Sequence, residues 1–270
     1  MATDRDRAGF SWQIKIWDQM ADLYLNENAP RIAPVADRAV AHADLTAGEQ
    51  VLDLGTGTGT VIERVAPLVG ASGAVMGTDI STKMLSTAQQ QVTMWGFTNV
   101  TLREGRAEAI PAEDASFDAV IASLILMYVI DRAAAAREMA RVLRPGGRVV
   151  AAVWAGAEQN DLVRFQQIAG SFAETPPVTG VGPGVLADPS PFLEQLSGAG
   201  LESRVETETL GFDIDSFALA WDVFAGVTTA TLSPERRQEA TDAVMREMWP
   251  NGDGPRHFRN VTHFIIGQKH

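Results

Sequence analysis

The chain has 270 residues, 46% hydrophobic and 21% charged, which is ordinary for a folded globular protein and excludes a disordered or fibrous one. Acidic residues outnumber basic ones 34 to 22 for a formal charge of −12, and no Lys/Arg cluster interrupts them, so a generic nucleic-acid binder is not expected. With no cysteine, disulfides, thiolate zinc sites and cysteine nucleophiles are excluded, and no stretch approaches the roughly 18 apolar residues of a membrane span. A charged N-terminus without an apolar signal core completes the expectation of a cytoplasmic protein with no membrane partner.

The first 45 residues read as two helices. Trp17, Met20, Ala21 and Tyr24 share one helical face, and Pro30 suits the first turn of the second helix, where its missing N–H costs nothing. Gln50–Leu54 is then a short apolar strand that runs straight into Gly55, Gly57 and Gly59. Val61, Ile62, Val65 and Ala66 form a helical stripe ended by Pro67 and Gly70. Ala74–Thr78 is a second strand closed by Asp79. Ser81 is placed to cap a helix that buries Met84, Leu85, Ala88, Val92 and Trp95. Val100–Arg103 and Phe117–Ser123 are the third and fourth strands. Asp131 caps a helix carrying Ala136, Met139, Ala140 and Leu143, and a tight Pro145-Gly146-Gly147 turn leads into a fifth strand, Arg148–Trp154. Strands that are apolar on both faces need cover on both, so this alternation predicts a mostly parallel sheet between helical layers, a doubly wound α/β fold.

Beyond 155 the pattern loosens. A helix is expected over 158–173, a Pro- and Gly-rich loop or lid over 175–191, a short helix near 191–199 and a strand near 202–210. Helices near 215–226 and 233–248 and a strand near 259–267 follow. The two late strands have no core of their own and are expected to complete the same sheet. The chain therefore divides into segments 1–45, 46–155 and 156–270 of one domain.

The chemistry concentrates in Val51-Leu52-Asp53-Leu54-Gly55-Thr56-Gly57-Thr58-Gly59. Glycines after a buried strand let backbone approach a ligand, although a tight turn with no ligand has the same look. Asp79, 26 residues after Asp53, can accept both hydroxyls of a ribose or cap the following helix. Asp53, inside an apolar strand, must find a hydrogen-bond partner, either in the glycine turn or toward a ligand. Of the four histidines, His270 is terminal, His42 is expected to be exposed, and His257 and His263 are expected to be structural. No H-x-x-x-H or D-x-D pattern suggests a metal.

Four ordered motifs carry a family resemblance: VLDLGTGTG at 51–59, GTDIS at 77–81, EGRAEAIP at 104–111 and FDAVIASLILMYVIDRAAAAREMARVLRPGG at 117–147. Together they resemble the class I S-adenosylmethionine (SAM)-dependent methyltransferases, near the ubiquinone/menaquinone biosynthesis and small-molecule methyltransferase group. The resemblance covers residues 45 to 155 and implies a Rossmann-like seven-stranded sheet with an antiparallel last strand. It also implies that 46–155 is the SAM-binding core, 1–45 a helical lid and 156–270 a substrate-pocket segment. By the same resemblance Asp53, Gly55, Thr56, Gly57 and Gly59 surround the amino-acid part of SAM, Asp79 holds the ribose, and Ile80 packs on the adenine. Met84, the segment Arg106-Ala107 and Ser123 line the cofactor, with Ala107 offering its N–H to the ring. Tyr24 is implied at the SAM carboxylate. Trp17, Met127, Tyr128 and Trp154 are implied to line the acceptor pocket. Of Phe165, Phe172, Phe192, Phe217, Trp221 and Phe224, most are expected in the core and a few to offer a flat ligand aromatic surface.

Two departures from the family pattern stand out. Position 106 is usually an aspartate that accepts from the adenine amine, whereas arginine has only donors, so Arg106 is expected to point elsewhere and leave the recognition to backbone atoms. Met127 and Tyr128 stand where many relatives carry two histidines, which removes a histidine base. The implied reaction is methyl transfer from SAM to an O, N or C nucleophile of a mid-sized, partly apolar small molecule, driven by alignment, with no base or metal assigned. A monomer or homodimer is expected. A nicotinamide-dependent oxidoreductase shares the glycine turn and the acidic strand end but not the G-x-G-x-G spacing, and a non-catalytic SAM-binding module is the other alternative.

Overall fold

The structure, a computed structural model, describes residues 4–173, 177–225, 229 and 232–270. Its elements are α1 (Asp4–Leu23), a π-helical turn (Tyr24–Asn28), α2 (Ala29–Ala43), β1 (Gln50–Leu54), α3 (Thr60–Val69), β2 (Ala74–Asp79), α4 (Thr82–Trp95), β3 (Val100–Glu104) and β4 (Phe117–Ser123). A short 3-10 turn (Leu126–Tyr128) leads to α5 (Arg132–Val142), β5 (Leu143–Trp154), α6 (Asp161–Gly170), α7 (Ser190–Gly198), β6 (Leu201–Ile214), α8 (Phe217–Phe224), α9 (Pro234–Met248) and β7 (Arg256–Lys269). None of the helices is long and apolar enough to cross a membrane, among the described residues.

The strands form one seven-stranded sheet in the order β3-β2-β1-β4-β5-β7-β6. Strands β1 to β5 pair in parallel, and β7 inserts antiparallel between β5 and β6. This is the mostly parallel, doubly wound sheet that the strand pattern predicts, with the Rossmann-like seventh-strand arrangement that the family resemblance implies. The chain winds outward from β1 to β3, then returns to lay β4 on the other side of β1. At such a reversal the connections leave the sheet in opposite directions and open a crevice beyond the carboxyl ends of the strands. The ends of β1 and β4, Leu54 and Ser123, border that crevice.

Burial explains the strand order. Val51, Leu52 and Leu54 of β1, Ala119–Ala122 of β4 and Val149–Val153 of β5 are all buried, as central strands covered on both faces must be. The predicted caps are in place: Ser81 Oγ accepts from Met84 N at 3.0 Å and Asp131 Oδ1 from Ala134 N at 2.9 Å. Strand β5 starts earlier than expected, because Leu143 already pairs with Phe117 and Arg148 next pairs with Ala119, so Arg144–Gly147 loops out of the ladder. Strand β6 is also longer than expected, running 14 residues along β7. The helix expected over 158–173 is confined to α6. The one expected over 215–226 ends at Phe224, and residue 226 lies outside the described residues, as does Pro176 of the Pro/Gly stretch.

The late aromatics build core and not a pocket. Phe165, Phe224 and Phe258 lie within 5.5–6.2 Å of one another, centroid to centroid, and Trp221 and Trp249 join them. Phe192 and Phe217 are likewise buried, and Phe172 packs its face toward the Arg236 guanidinium, 5.6 Å away. His42 is covered as well: its Nε2 donates to Glu208 Oε1 at 3.0 Å and the ring lies against Phe264, which corrects the expectation of exposure. Truncating one ring of this cluster, Phe258→Ala, is expected to cost about 3–5 kcal/mol of stability. The check is a chemical-denaturation midpoint, which should fall at unchanged slope.

Candidate functional site

The glycine turn is held from both ends by carboxylates. After β1 the backbone turns through Gly55 (φ +72°) and Gly57 (φ +55°), in the left-handed region that side chains disfavour. The N–H groups of Gly55 and Thr56 both donate to Thr78 O of β2 at 2.8 Å, which fixes the turn to the neighbouring strand. Thr56 Oγ1 donates to Asp53 Oδ2 at 2.6 Å. Gly57 N donates to Asp79 Oδ2 at 3.0 Å and Ser81 N to Asp79 Oδ1 at 2.9 Å. Asp53 therefore anchors the loop, and Asp79 does not cap α4; Ser81 does.

Above this turn lies a cleft of about 710 Å³ of atom-free space, open mouth included. Its floor is Leu54, Gly55, Gly57 and Ser123, and one wall is Asp79, Ile80, Met84, Gly105, Ala107 and Glu108. The opposite wall is Leu124, Ile125, Tyr128 and Val129, and helix α1 roofs it with Phe10, Gln13 and Trp17, followed by Tyr24. Leu124, at the exit of β4, holds a left-handed backbone (φ +61°) pinned by its N–H to Ala152 O at 2.9 Å. A smaller cavity of about 330 Å³ shares Tyr24, Gly55 and Ser123 with the cleft and reaches Asp53, Thr56, Thr60 and α2.

The roof is fastened at several points. Gln13 Nε2 donates to Tyr128 O at 2.7 Å, and Trp17 meets Tyr128 and Tyr24 edge-on at 4.9 and 6.3 Å between centroids. Ser81 Oγ, besides capping α4, donates to Asp18 Oδ1 of α1 at 2.6 Å. Gly9 packs directly against Val178 and Ile130, where a larger residue would collide.

Electrostatics set the site apart from the surface. Burial pushes the Asp53 carboxyl up to about 7 against the pull of the Thr56 hydroxyl, and the Asp79 charge adds to the rise. Burial also raises Asp79, opposed by the N–H groups of Ser81, Gly57 and Ile80. Burial raises the phenols of Tyr24 and Tyr128 as well, so both stay protonated near neutrality. Among the described residues, no Lys, Arg or His lines either cavity. Two desolvated carboxylates with only N–H and O–H partners suit a ligand that brings hydroxyl donors and positive charge. The residues present thus fit a ribosyl sulfonium such as SAM.

Of the residues expected at the site, the cleft gathers Trp17, Tyr24, Gly55, Gly57, Asp79, Ile80, Met84, Ala107, Ser123 and Tyr128, and the smaller cavity adds Asp53 and Thr56. Four lie elsewhere. Gly59 faces Trp95, which would stand 3.4 Å from an added Cβ. The Arg106 guanidinium sits over the Phe10 ring at 4.5 Å. Met127 and Trp154 are buried away from the cleft, with Trp154 N donating to Met127 Sδ at 3.3 Å. The reason is the 3-10 turn over Leu126–Tyr128, which sends successive side chains in different directions, Met127 into the sheet and Tyr128 into the cleft. The Gly-rich stretch after 177 does not line the cleft either. It braces the back of that turn, through Gly182 N to Met127 O at 2.8 Å and Arg132 to Gly180 O at 2.6 Å. Phe10, Gln13, Glu108, Leu124 and Ile125 were not expected. Phe10 and Gln13 continue the Trp17 stripe at helical spacing, a signal available in the sequence.

Residues 45–175 match a family described as a methyltransferase domain. The chain carries a class I SAM-dependent methyltransferase domain. Ubiquinone/menaquinone biosynthesis C-methyltransferase UbiE of Hahella chejuensis is 43% identical over 105 residues, 38% of this chain and 42% of that protein. The chain thus matches less than half the length of that relative. In overall fold it is similar to the YcgJ protein of Bacillus subtilis (TM-score 0.63, 19% identity, 87% of this chain and 97% of that one). It is also similar to phosphoethanolamine N-methyltransferase 2 of Haemonchus contortus, solved with S-adenosylhomocysteine (TM-score 0.54, 18% identity, 86% and 52%). In this family the cofactor is SAM, and S-adenosylhomocysteine is its product.

The raised Asp53 carboxyl has a consequence for stability. Its folded value, about 7, lies above an unfolded aspartate's roughly 3.9, so the folded state binds the extra proton and stability falls as pH rises between the two. Asp53→Asn keeps an acceptor for the Thr56 hydroxyl and removes this contribution. The variant is expected to lose less stability than the parent between pH 4.5 and pH 7.5, read from denaturation midpoints; an equal loss in both would contradict the assignment.

Proposed function

We propose that the protein transfers a methyl group from SAM to a nucleophilic oxygen, nitrogen or carbon of a mid-sized, partly apolar small molecule. The observation that carries this reading is the Asp79 carboxylate, which anchors the glycine turn through Gly57 N and still faces the cleft at the sheet's reversal point. In that position it accepts from the hydroxyls of a ribose. Ile80, Met84 and Ile125 form an apolar slot beside it for the purine, and Tyr24, between the two cavities, offers its hydroxyl to the amino-acid end.

When bound, SAM supplies a methyl carbon on a positively charged sulfur that leaves without needing a proton. The protein's part is then orientation and the exclusion of water. Trp17, Tyr24 and Tyr128 close over the floor as a connected set of rings, which keeps bulk water from the reacting atoms. Correct alignment alone is worth about 7–11 kcal/mol of barrier. Among the described residues, neither the phenols nor the histidines offer the cleft a base. The two phenols are held protonated, and His42, His257 and His263 are engaged with Glu208, Asp213 and Thr207, outside the cleft. With no basic side chain on its walls and the carboxyl groups of Asp79, Glu108 and Asp53 nearby, the cleft favours an acceptor that is uncharged or cationic over a carboxylate or phosphate ester.

Calorimetry with S-adenosylhomocysteine is the direct test. The parent is expected to bind it and to ignore NADH, and Asp79→Ala is expected to weaken binding by at least tenfold; unchanged affinity would remove the basis of the reading. A second test addresses the chemistry. Tyr128→Phe is expected to change the rate of S-adenosylhomocysteine formation by less than about threefold, whereas loss of a general base costs about 10²–10⁴-fold.

A further inference from the structure

The substitution at position 106 leaves a recognition problem. A purine in the slot beside Asp79 carries an exocyclic amine, and an amine pressed against apolar walls without an acceptor is penalised. Arg106 has no acceptor to offer, and it is engaged with the Phe10 ring of α1, off the cleft wall. At the far end of the slot the wall is Gly105, Ala107 and Glu108. Glu108 supplies the side-chain acceptor there. Its Oε1 accepts from Ile130 N at 3.0 Å and from Asp131 N at 3.3 Å, which fixes the carboxylate across the gap between the exit of β3 and the segment after the 3-10 turn. Oε2 takes part in neither bond. The Gln13 amide, on the roof, is turned by its donor end to Tyr128 O.

We infer that Glu108 selects the purine of the cofactor, with Oε2 accepting from the 6-amino group in place of the side chain that position 106 lacks. This rests on the SAM reading above. Glu108 is thereby a specificity residue, and Arg106 is released to hold α1 by its Phe10 contact.

The test compares two probes by calorimetry, S-adenosylhomocysteine and its 6-oxo counterpart S-inosylhomocysteine. The parent is expected to prefer the 6-amino form by about tenfold or more, the worth of a charge-assisted hydrogen bond. In Glu108→Gln the single amide oxygen stays on Ile130 N and the NH2 group turns to the ring, so the preference should fall to parity or invert. Glu108→Asp, with a shorter reach, should lose preference without inversion and provides a second arm should the glutamine variant fold poorly. Arg106→Ala should keep the parent's ratio. Equal weakening of both probes in the Glu108 variants, or no preference in the parent, would overturn the inference and leave Glu108 as a brace for residues 130–131. Failure of the parent to bind either probe would instead strike the SAM reading itself.

Discussion

One carboxylate gathers backbone N–H groups from two different segments, and the cleft is laid out around it. Asp79 ends β2, takes Gly57 N with one oxygen and Ser81 N with the other, and so ties the first glycine turn to the start of α4. The bond is short-range, but the geometry it enforces is not local. It holds the turn after β1 at the depth where the cleft floor forms, and it orients Ser81 so that one hydroxyl both caps α4 and grips Asp18 of the roof. Floor, wall and roof are thus linked through four residues, Gly57, Asp79, Ser81 and Asp18.

This arrangement is expensive in isolation. Asp53 and Asp79 are desolvated, and the groups that compensate them are N–H and hydroxyl donors, not cations. A site that keeps two such carboxylates under-compensated sacrifices stability for recognition, and a donor-rich, positively charged ligand restores the balance. The aromatic roof contributes by a different route. Its rings meet edge to face, which packs them tightly over the cleft.

Much of this was legible in the sequence because the informative residues are local. The glycine spacing at 55–59, Asp79 at a strand end, Ser81 and Asp131 at helix starts and the apolar strands of the core each announce themselves within a few positions, and the structure puts them where that reading places them. The roles of Met127 and Trp154 were not legible, since a three-residue 3-10 turn decides which of two adjacent side chains enters the cleft, and no periodicity marks it. The aromatic residues beyond 160 were expected mainly in the core, where most of them lie, but which of them would face a ligand instead was not legible. An aromatic side chain reads the same in a core as in a pocket, and only the placement of β6, β7 and α8 tells them apart. Glu108 escaped notice because its partners, Ile130 and Asp131, are more than twenty residues away.

The five residues from Tyr24 to Asn28 join α1 to α2 without a break, as a wider coil inside one helical rod. A rod has no slack. Lifting α1 away from the sheet means rewinding that coil, and Tyr24 is its first residue. The angle between α1 and α2 and the aim of the Tyr24 hydroxyl, which borders both cavities, are therefore set by the same coil.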